Sequence, residues 1–464
     1  MGGIVSCAVC MVLLLTLAGQ PRSLVEEAYP GVRESEGGLE CCISVDVATP
    51  EEAESLRLQG IPWGRVGGMV RPFSEQLWTN LEAHGHQPRM TCFQLVEQAT
   101  LEEGVERIYL SEKTETSAGR PMVAWSRGHP VPQFKLLFLG GRPTPIEILP
   151  YEEYYTVSEN GQFASVASSD PEADEPNMGR WKVFKSSGQK TGELPVILIY
   201  DEPPDQIVLS DKGNWIELIN NGREAGFYDS TGNLIRRVTV SDLPPIRCLA
   251  HFSADGRYVA LAIQPYPSPQ GEQESKDCIL LYDSEGRRIW EFSPSGIAPF
   301  TGRAWVSQGG AYVIGSFRVG RAGEKGYEHS AYILDKRGSV VAKIDGFDFH
   351  VSNVKFSTSL TYAVLRSSKE LLVVKPQTGE VIMRHREPGT SVIDFDLAEK
   401  AQVLGLTIDT EVLLLDLQAR GFWFINPGGR EWGRAPHISL SDDGNEMSLS
   451  MGDKFFLYKR VQER

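Results

Sequence analysis

Most side chains equipped for chemistry in this chain of 464 residues fail on spacing. Asp170-Pro171-Glu172-Ala173-Asp174-Glu175 alternates carboxylates as a calcium loop does. The sixth position, however, lacks the Gly on which such a loop turns, and the twelfth is Trp181 rather than a bidentate Glu. A solvated acidic loop fits better. His84-Gly85-His86 offers two imidazoles without nearby Cys or carboxylate partners, which reads as surface rather than metal site. No Gly-x-Ser-x-Gly elbow, His-Glu-x-x-His pair or Walker loop occurs. No catalytic residue, metal ligand or cofactor is therefore assigned. A more coherent set is Tyr266, Glu272, Arg318, Arg321, Tyr327 and His329, with Glu274, Lys276 and Lys325 nearby. Mixed charge with tyrosine suits a protein or glycan better than a phosphate.

A repeat ties these residues together. From about Tyr155 the chain cycles through strand, polar turn, two strands and a Gly turn, most clearly at Ala250 to Leu261 and Cys278 to Trp290. The first turn recurs at Ser158 to Gly161, Ser210 to Gly213, Ser253 to Gly256, Ser307 to Gly310, Ser357 to Leu360, Leu397 to Lys400 and Ser441 to Gly444. Successive fourth positions lie 52, 43, 54, 50, 40 and 44 residues apart, the period of four-stranded propeller blades. Gly tolerates positive φ and Ser or Asp bonds the local backbone, so the chain reverses in few residues. A second turn follows at Gly188, Gly232, Gly286, Gly338, Gly379 and Gly421.

The pattern predicts an all-β propeller of about seven four-stranded blades, with a small mixed N-terminal element. The last copy, Phe455-Phe456-Leu457-Tyr458, ends without a fourth strand, and an open edge calls for a strand from the other terminus. Thr144 to Leu149 is the expected donor. Eight blades is the other count the strands allow: Arg107 to Leu110, Met122 to Trp125 and Phe134 to Phe138 would join Thr144 to Leu149, and the closing strand would come from Cys42 to Val47.

The distance between the two turns locates the departures. It is 27, 30 and 28 residues in the blades beginning at Ser158, Ser253 and Ser307, against 19, 19 and 21 in those beginning at Ser210, Ser357 and Leu397. The extra residues, Ser169 to Arg180, Gln264 to Asp277 and Arg318 to Ser330, all fall between second and third strands. Because strands alternate in direction, these insertions emerge on one face of the ring, and such a face often binds.

The blade phrase resembles bacterial WD-repeat-like and quinoprotein-like propellers over roughly Arg107 to Arg460. The ending Tyr282-Asp283-Ser284-Glu285-Gly286-Arg287-Arg288-Ile289-Trp290 is similar to quinoprotein repeats, with a weaker copy at Pro376 to Ile382. No blade has the Gly-His opening or Trp-Asp ending of WD repeats. The resemblance is one of fold, and propellers host hydrolases, oxidoreductases, lectins and scaffolds. Some quinone-dependent propeller dehydrogenases set a vicinal disulfide against the cofactor, but Cys41-Cys42 lies outside the blades and no matching ligand set accompanies it.

Bulk properties narrow the partners and the compartment. With 46 Lys and Arg against 61 Asp and Glu the net charge is −15, which disfavours nucleic acid and anionic membranes. Ile4 to Ala18 is a charge-free apolar run of 15 residues, short for a span and suited to an export signal. Residues 1–18 therefore read as a signal peptide, an uncleaved anchor being the one membrane association expected. Residues 19–39 read as a linker, 40–100 as the small mixed element and 101–464 as the propeller. Thr49 to Glu54 begins one expected helix and Phe73 to Ala83 forms a second. Five cysteines follow residue 18, an odd number that excludes a full disulfide framework. Cys41 or Cys42 with Cys92 is the expected bridge, and Cys248 and Cys278 read as small buried hydrophobes.

The function expected is an exported, non-catalytic propeller that binds a protein or polysaccharide through the inserted loops. The alternative is a propeller enzyme acting on a sugar or small metabolite in the central channel.

Overall fold

The computed structural model describes residues 39–45, 69–72, 75–83, 85–100, 105–110, 115–118, 121–126, 133–136, 144–147, 155–158, 162–169, 178–185, 189–197, 206–219, 222–240, 247–264, 278–294, 297–320, 327–347, 349–386, 392–408, 411–417, 422–425, 437–451 and 454–461. Among them, seven four-stranded antiparallel sheets follow one another, each with its strands hydrogen-bonded in chain order. They span 105–147, 155–197, 206–239, 247–292, 297–347, 353–386 and 392–425, and we number these blades one to seven.

The fold is an all-β propeller with seven four-stranded blades, the number expected, but they are not the seven copies counted from the first turns: the strands considered for an additional blade form the first of them, and the last copy lies in a larger sheet. The first blade consists of Val105–Leu110, Pro121–Ser126, Gln133–Leu136 and Thr144–Glu147. A further, six-stranded sheet has the order Met69–Pro72, Leu39–Val45, Arg89–Thr100, Lys454–Val461, Glu446–Met451, His437–Leu440.

This arrangement corrects the expected closure. Thr144–Glu147 is no spare strand, since Phe134 pairs with Ile146 and Leu136 with Thr144 inside the first blade. The strand beside Lys454–Val461 is Arg89–Thr100, with Leu39–Val45 one place further out. Arg89–Thr100 pairs an edge of Lys454–Val461 that would otherwise present free N–H and C=O groups.

The chain divides into two compact units, Met1–Glu97 with Ala419–Ile425 and Tyr458–Arg464, and Gln98–Gln418 with Asn426–Leu457. In the first, Leu39–Val45 pairs on one side with Met69–Pro72 and on the other with Arg89–Thr100, where Cys41 stands opposite Cys92. Cys92 is buried and disulfide-bonded. The helix Glu75–Ala83 lies within the stretch expected to be helical and buries Leu81, while Thr49 to Glu54 and the apolar N-terminal run fall outside the described residues. Among the described residues no helix is long and apolar enough to cross a membrane.

In the second unit, consecutive residues of the middle strands pack in opposite directions, as the period of two requires. In the fourth blade Val259, Leu261 and Ile263 join Ile216, Leu218 and Phe227 of the third. Ala260 and Ala262 join Ala304, Val313 and Phe317 of the fifth. Both faces being buried, the strand reads as the unbroken run Tyr258–Gln264 rather than an alternating one. Cys248 and Cys278 lie buried in the first of these clusters, and burial, with Cys278 close by, pushes the Cys248 thiol up to about 12. Both behave as the small hydrophobes the sequence implied.

The first turns share one device. The hydroxyl oxygens of Ser158, Ser253, Ser307, Ser357 and Ser441 accept the N–H five residues on, from Phe163, Tyr258, Tyr312, Tyr362 and Glu446, at 3.1, 3.1, 2.9, 3.0 and 2.8 Å. The turn glycine then meets the previous blade. Gly310 has φ +64, and a Cβ there would lie 2.9 Å from the Tyr258 ring, so both conformation and contact demand glycine. In the seventh blade the turn is shifted from the expected Leu397 to Lys400: the first strand continues to Ala398, and Gln402, at φ 57, donates to the Glu399 carbonyl.

Candidate partner-binding face

Strand alternation places the first-to-second and third-to-fourth turns on one face of the propeller, the turn face. The second-to-third hairpins and the links between blades lie on the other, the hairpin face.

In the third, fourth and fifth blades the third-to-fourth turn, on the turn face, is built around an aspartate. Asp283 Oδ1 accepts the N–H groups of Glu285 at 3.0 Å and Arg287 at 2.9 Å, and Asp335 does the same for Arg337 and Ser339. In the third blade partial burial works against the Asp229 charge, but bonds from Thr231 and Asn233 outweigh it and hold the carboxyl at about 2. These charges are satisfied within five residues of chain.

The hairpin face is built differently. In the fifth blade the region expected as an inserted loop, Arg318 to Ser330, is largely strand: Tyr312–Gly320 pairs with Tyr327–Asp335, matching Arg318 to His329 and Gly320 to Tyr327. The first strand of this blade, Ile297–Val306, has 10 residues, whereas its counterpart in the sixth, Asn353–Phe356, has 4. Ser169 and Met178–Arg180 are likewise strand in the second blade, where Ser169 pairs with Gly179. Tyr266, Glu272 and Arg321 lie outside the described residues, as do Asp170 to Glu175.

Where the long fifth blade runs past the short sixth, a step forms, and cations gather in it. Arg303 lies on the first strand, opposite Ser316, and Arg318 lies one strand across from His329. His350 comes from the link to the sixth blade, with its ring centroid 6.4 Å from that of His329. Gly302 lies beside it, where a Cβ would be in ordinary contact, 3.6 Å, with His350 Cβ. The link is pinned by Val351, whose N–H donates to Ser316 Oγ at 3.0 Å.

Ser352 holds two guanidiniums at once. Arg303 Nη1 donates to its carbonyl at 3.2 Å, and Arg366 Nε donates to its hydroxyl at 3.3 Å. Arg366, from the end of the second strand of the sixth blade, also donates to the carbonyl of Ile393.

The electrostatics follow from this crowding. The His329 proton affinity is lowered by burial first, then by His350 and Arg318. That of His350 is lowered by desolvation, then by Arg303 and Arg318. Burial also lowers Arg366, with Arg303 acting in the same sense and Asp394 opposing. His329 Nδ1 is buried and accepts or donates no hydrogen bond among the described residues.

Asp394 is the acid at this site. Burial works against its charge, but Lys355, His437 and the Ile438 N–H hold it at about 2, with His437 Nδ1 at 3.3 Å from Oδ2. Since the same oxygen caps a backbone N–H, the pair ties the seventh blade to the strand His437–Leu440. Among the described residues no three His, Cys, Asp or Glu side chains gather as a metal site.

Of the six residues singled out from the sequence, the structure thus brings Arg318 and His329 together and places Tyr327 two residues before His329 on the same strand. Sequence reasoning did not find Arg303, His350 or Arg366. A cation at the hairpin-face end of successive blades was the available signal, visible once strand ends are counted from each first turn.

Comparison with known proteins adds a fold likeness only. No family model matches the chain, and no curated protein matches it. Among solved structures it is similar to the C-terminal WD40 domain of Sif2, at 10% identity and a TM-score of 0.47, over 78% of this chain and 98% of that one. The propeller assignment stands on the strand order and not on this likeness.

Proposed function

We propose that this chain is an exported, non-catalytic propeller that captures a protein or polysaccharide partner on its hairpin face. The observation that carries the reading is the step between the fifth and sixth blades, where Arg303, Arg318, His329, His350 and Arg366 converge on a protein of net charge −15. On the turn face Asp229, Asp283 and Asp335 hold turns. Polar groups on the hairpin face hold cations at the surface, which is the arrangement for recognition across an interface.

Export is supported by the apolar run Ile4 to Ala18 and by the disulfide at Cys92, since such bonds persist in oxidising compartments. The acidic surface argues against nucleic acid. The pairing of Asp394 with His437 is the arrangement nearest to catalytic machinery, and its bond to the Ile438 N–H favours a structural role.

The test is affinity capture with the full chain and with a variant in which residues 265–277 are replaced by a two-residue turn. The variant is expected to unfold at the same urea concentration as the parent and to lose its partners. Capture unchanged both in this variant and in Arg303→Gln combined with Arg318→Gln overturns the hairpin face as the binding surface.

A further inference from the structure

We infer that the step between the fifth and sixth blades is a docking site for an acidic protein segment, its carboxylates taken by Arg303, Arg318 and Arg366 and its apolar side chains by Phe349 and Ile393. The inference rests on the hairpin face being the binding surface, and it names the partner's chemistry.

Charge complementarity is the first argument. Ser352 joins two guanidiniums, Arg318 lies across from His329 and His350 stands beside it, while Asp394 and Asp345 are engaged elsewhere. Asp394 is held by His437 and Ile438. Asp345 accepts from Ser330 Oγ at 2.6 Å and pairs with Lys343 at 2.7 Å. Guanidinium forks match carboxylates bidentately, and Ser352 already orients two of the three.

The second argument is apolar. Phe349, next to His350, is 45% exposed, and Ile393, next to Asp394, is 36% exposed. Lys369 Nζ sits 5.9 Å from the centroid of the Phe349 ring and adds a fourth cation to the three arginines. Arginine beside an exposed aromatic is the composition of protein interface hot spots. An acidic polysaccharide satisfies the arginines and leaves Phe349 and Ile393 without a partner, so a polypeptide fits the whole patch.

The histidines make the site responsive to pH. His329 faces Arg318 on one neighbouring strand, Phe347 on the other and His350 from the link. His350 faces Arg303 and Arg318. Crowded by cations, both imidazoles are neutral at pH 7, and a bound carboxylate favours their protonation. By linkage, acidification therefore tightens binding.

The experiment measures binding of the full chain to a random copolymer of Glu and Tyr and to polygalacturonate, at pH near ~7.5 and ~5.5 and at several salt concentrations. The copolymer is expected to bind, more tightly at the lower pH and more weakly with added salt. Arg303→Gln combined with Arg318→Gln is expected to weaken it by ~10-fold or more, whereas Arg303→Lys retains more of the affinity. Phe349→Ser is expected to weaken the copolymer and leave polygalacturonate unchanged. His329→Gln with His350→Gln is expected to abolish the tightening at low pH. Salt and pH dependence of the unaltered chain need no variant, so a variant that fails to fold leaves the test intact.

Absence of copolymer binding at both pH values overturns the site. Polygalacturonate bound as tightly and insensitive to Phe349→Ser overturns the polypeptide in favour of a polysaccharide. If partner capture depends on residues 265–277 while the arginine pair proves irrelevant, this inference falls and the binding face stands.

Discussion

The two faces of the propeller handle polar groups in opposite ways. On the turn face Asp229, Asp283 and Asp335 spend their oxygens on N–H groups two and four residues ahead, so charge stabilises chain reversal. On the hairpin face Arg303 and Arg366 reach a serine on another segment, and Arg318, His329 and His350 crowd one another. Local satisfaction builds a scaffold, whereas like charges held together by distant segments store an electrostatic cost that an anion relieves. Stability and binding should therefore separate by face.

The largest separation is expected at Gly310. Gly310→Val forces a β-branched residue to positive φ against the Tyr258 ring, and the combined strain and overpacking should cost about 3 kcal/mol or more. Urea unfolding measures it, and a loss below about 1 kcal/mol breaks the account of the turn face. Next comes Ser253→Ala, which removes the acceptor for Tyr258 N–H and the donor to Asp255 Oδ1 and should cost about 1 kcal/mol. Arg318→Gln belongs to the other face and should shift stability by no more than about 0.5 kcal/mol.

Smaller effects appear in pH titrations. The Asp229 carboxyl, lowered to about 2, contributes stability above its unfolded value near ~3.9 that is lost as pH falls towards 2. Asp229→Asn should flatten that part of the acid limb, read by circular dichroism. The smallest effect concerns the histidines. Their folded values lie below the unfolded ~6.5, so the folded state resists the proton and stability declines as pH falls through that value. His329→Gln with His350→Gln should remove the decline; its persistence would mean the imidazoles are not crowded as described.

Legibility in the sequence followed the same division. Turn residues were readable because their chemistry is local: Ser253 and Gly256 lie three apart, and φ and hydrogen bonding act over that distance. The shifted turn at Glu399 to Gln402 was misplaced because it has neither Ser nor Gly to mark it. The closing strand was missed for another reason. Arg89–Thr100 and Lys454–Val461 are more than 350 residues apart, and nothing in either names its partner. At the site, Arg318 and His329 were found because an insertion flagged them. His350 and Arg366 sit in a link and a strand of ordinary length and carry no such mark.

By itself the sequence determined the repeating blade, its turns, the buried thiols and the face on which the chain departs from regularity. Each follows from backbone conformation or from burial, which a few neighbouring residues decide. Only the tertiary structure decided that Arg89–Thr100 completes the last sheet, that the fifth blade lengthens as strand rather than loop, and that three arginines and two histidines from two blades and their link share one step. Those outcomes depend on which strand ends come level with one another around the ring, a matter of packing between blades that no local spacing encodes.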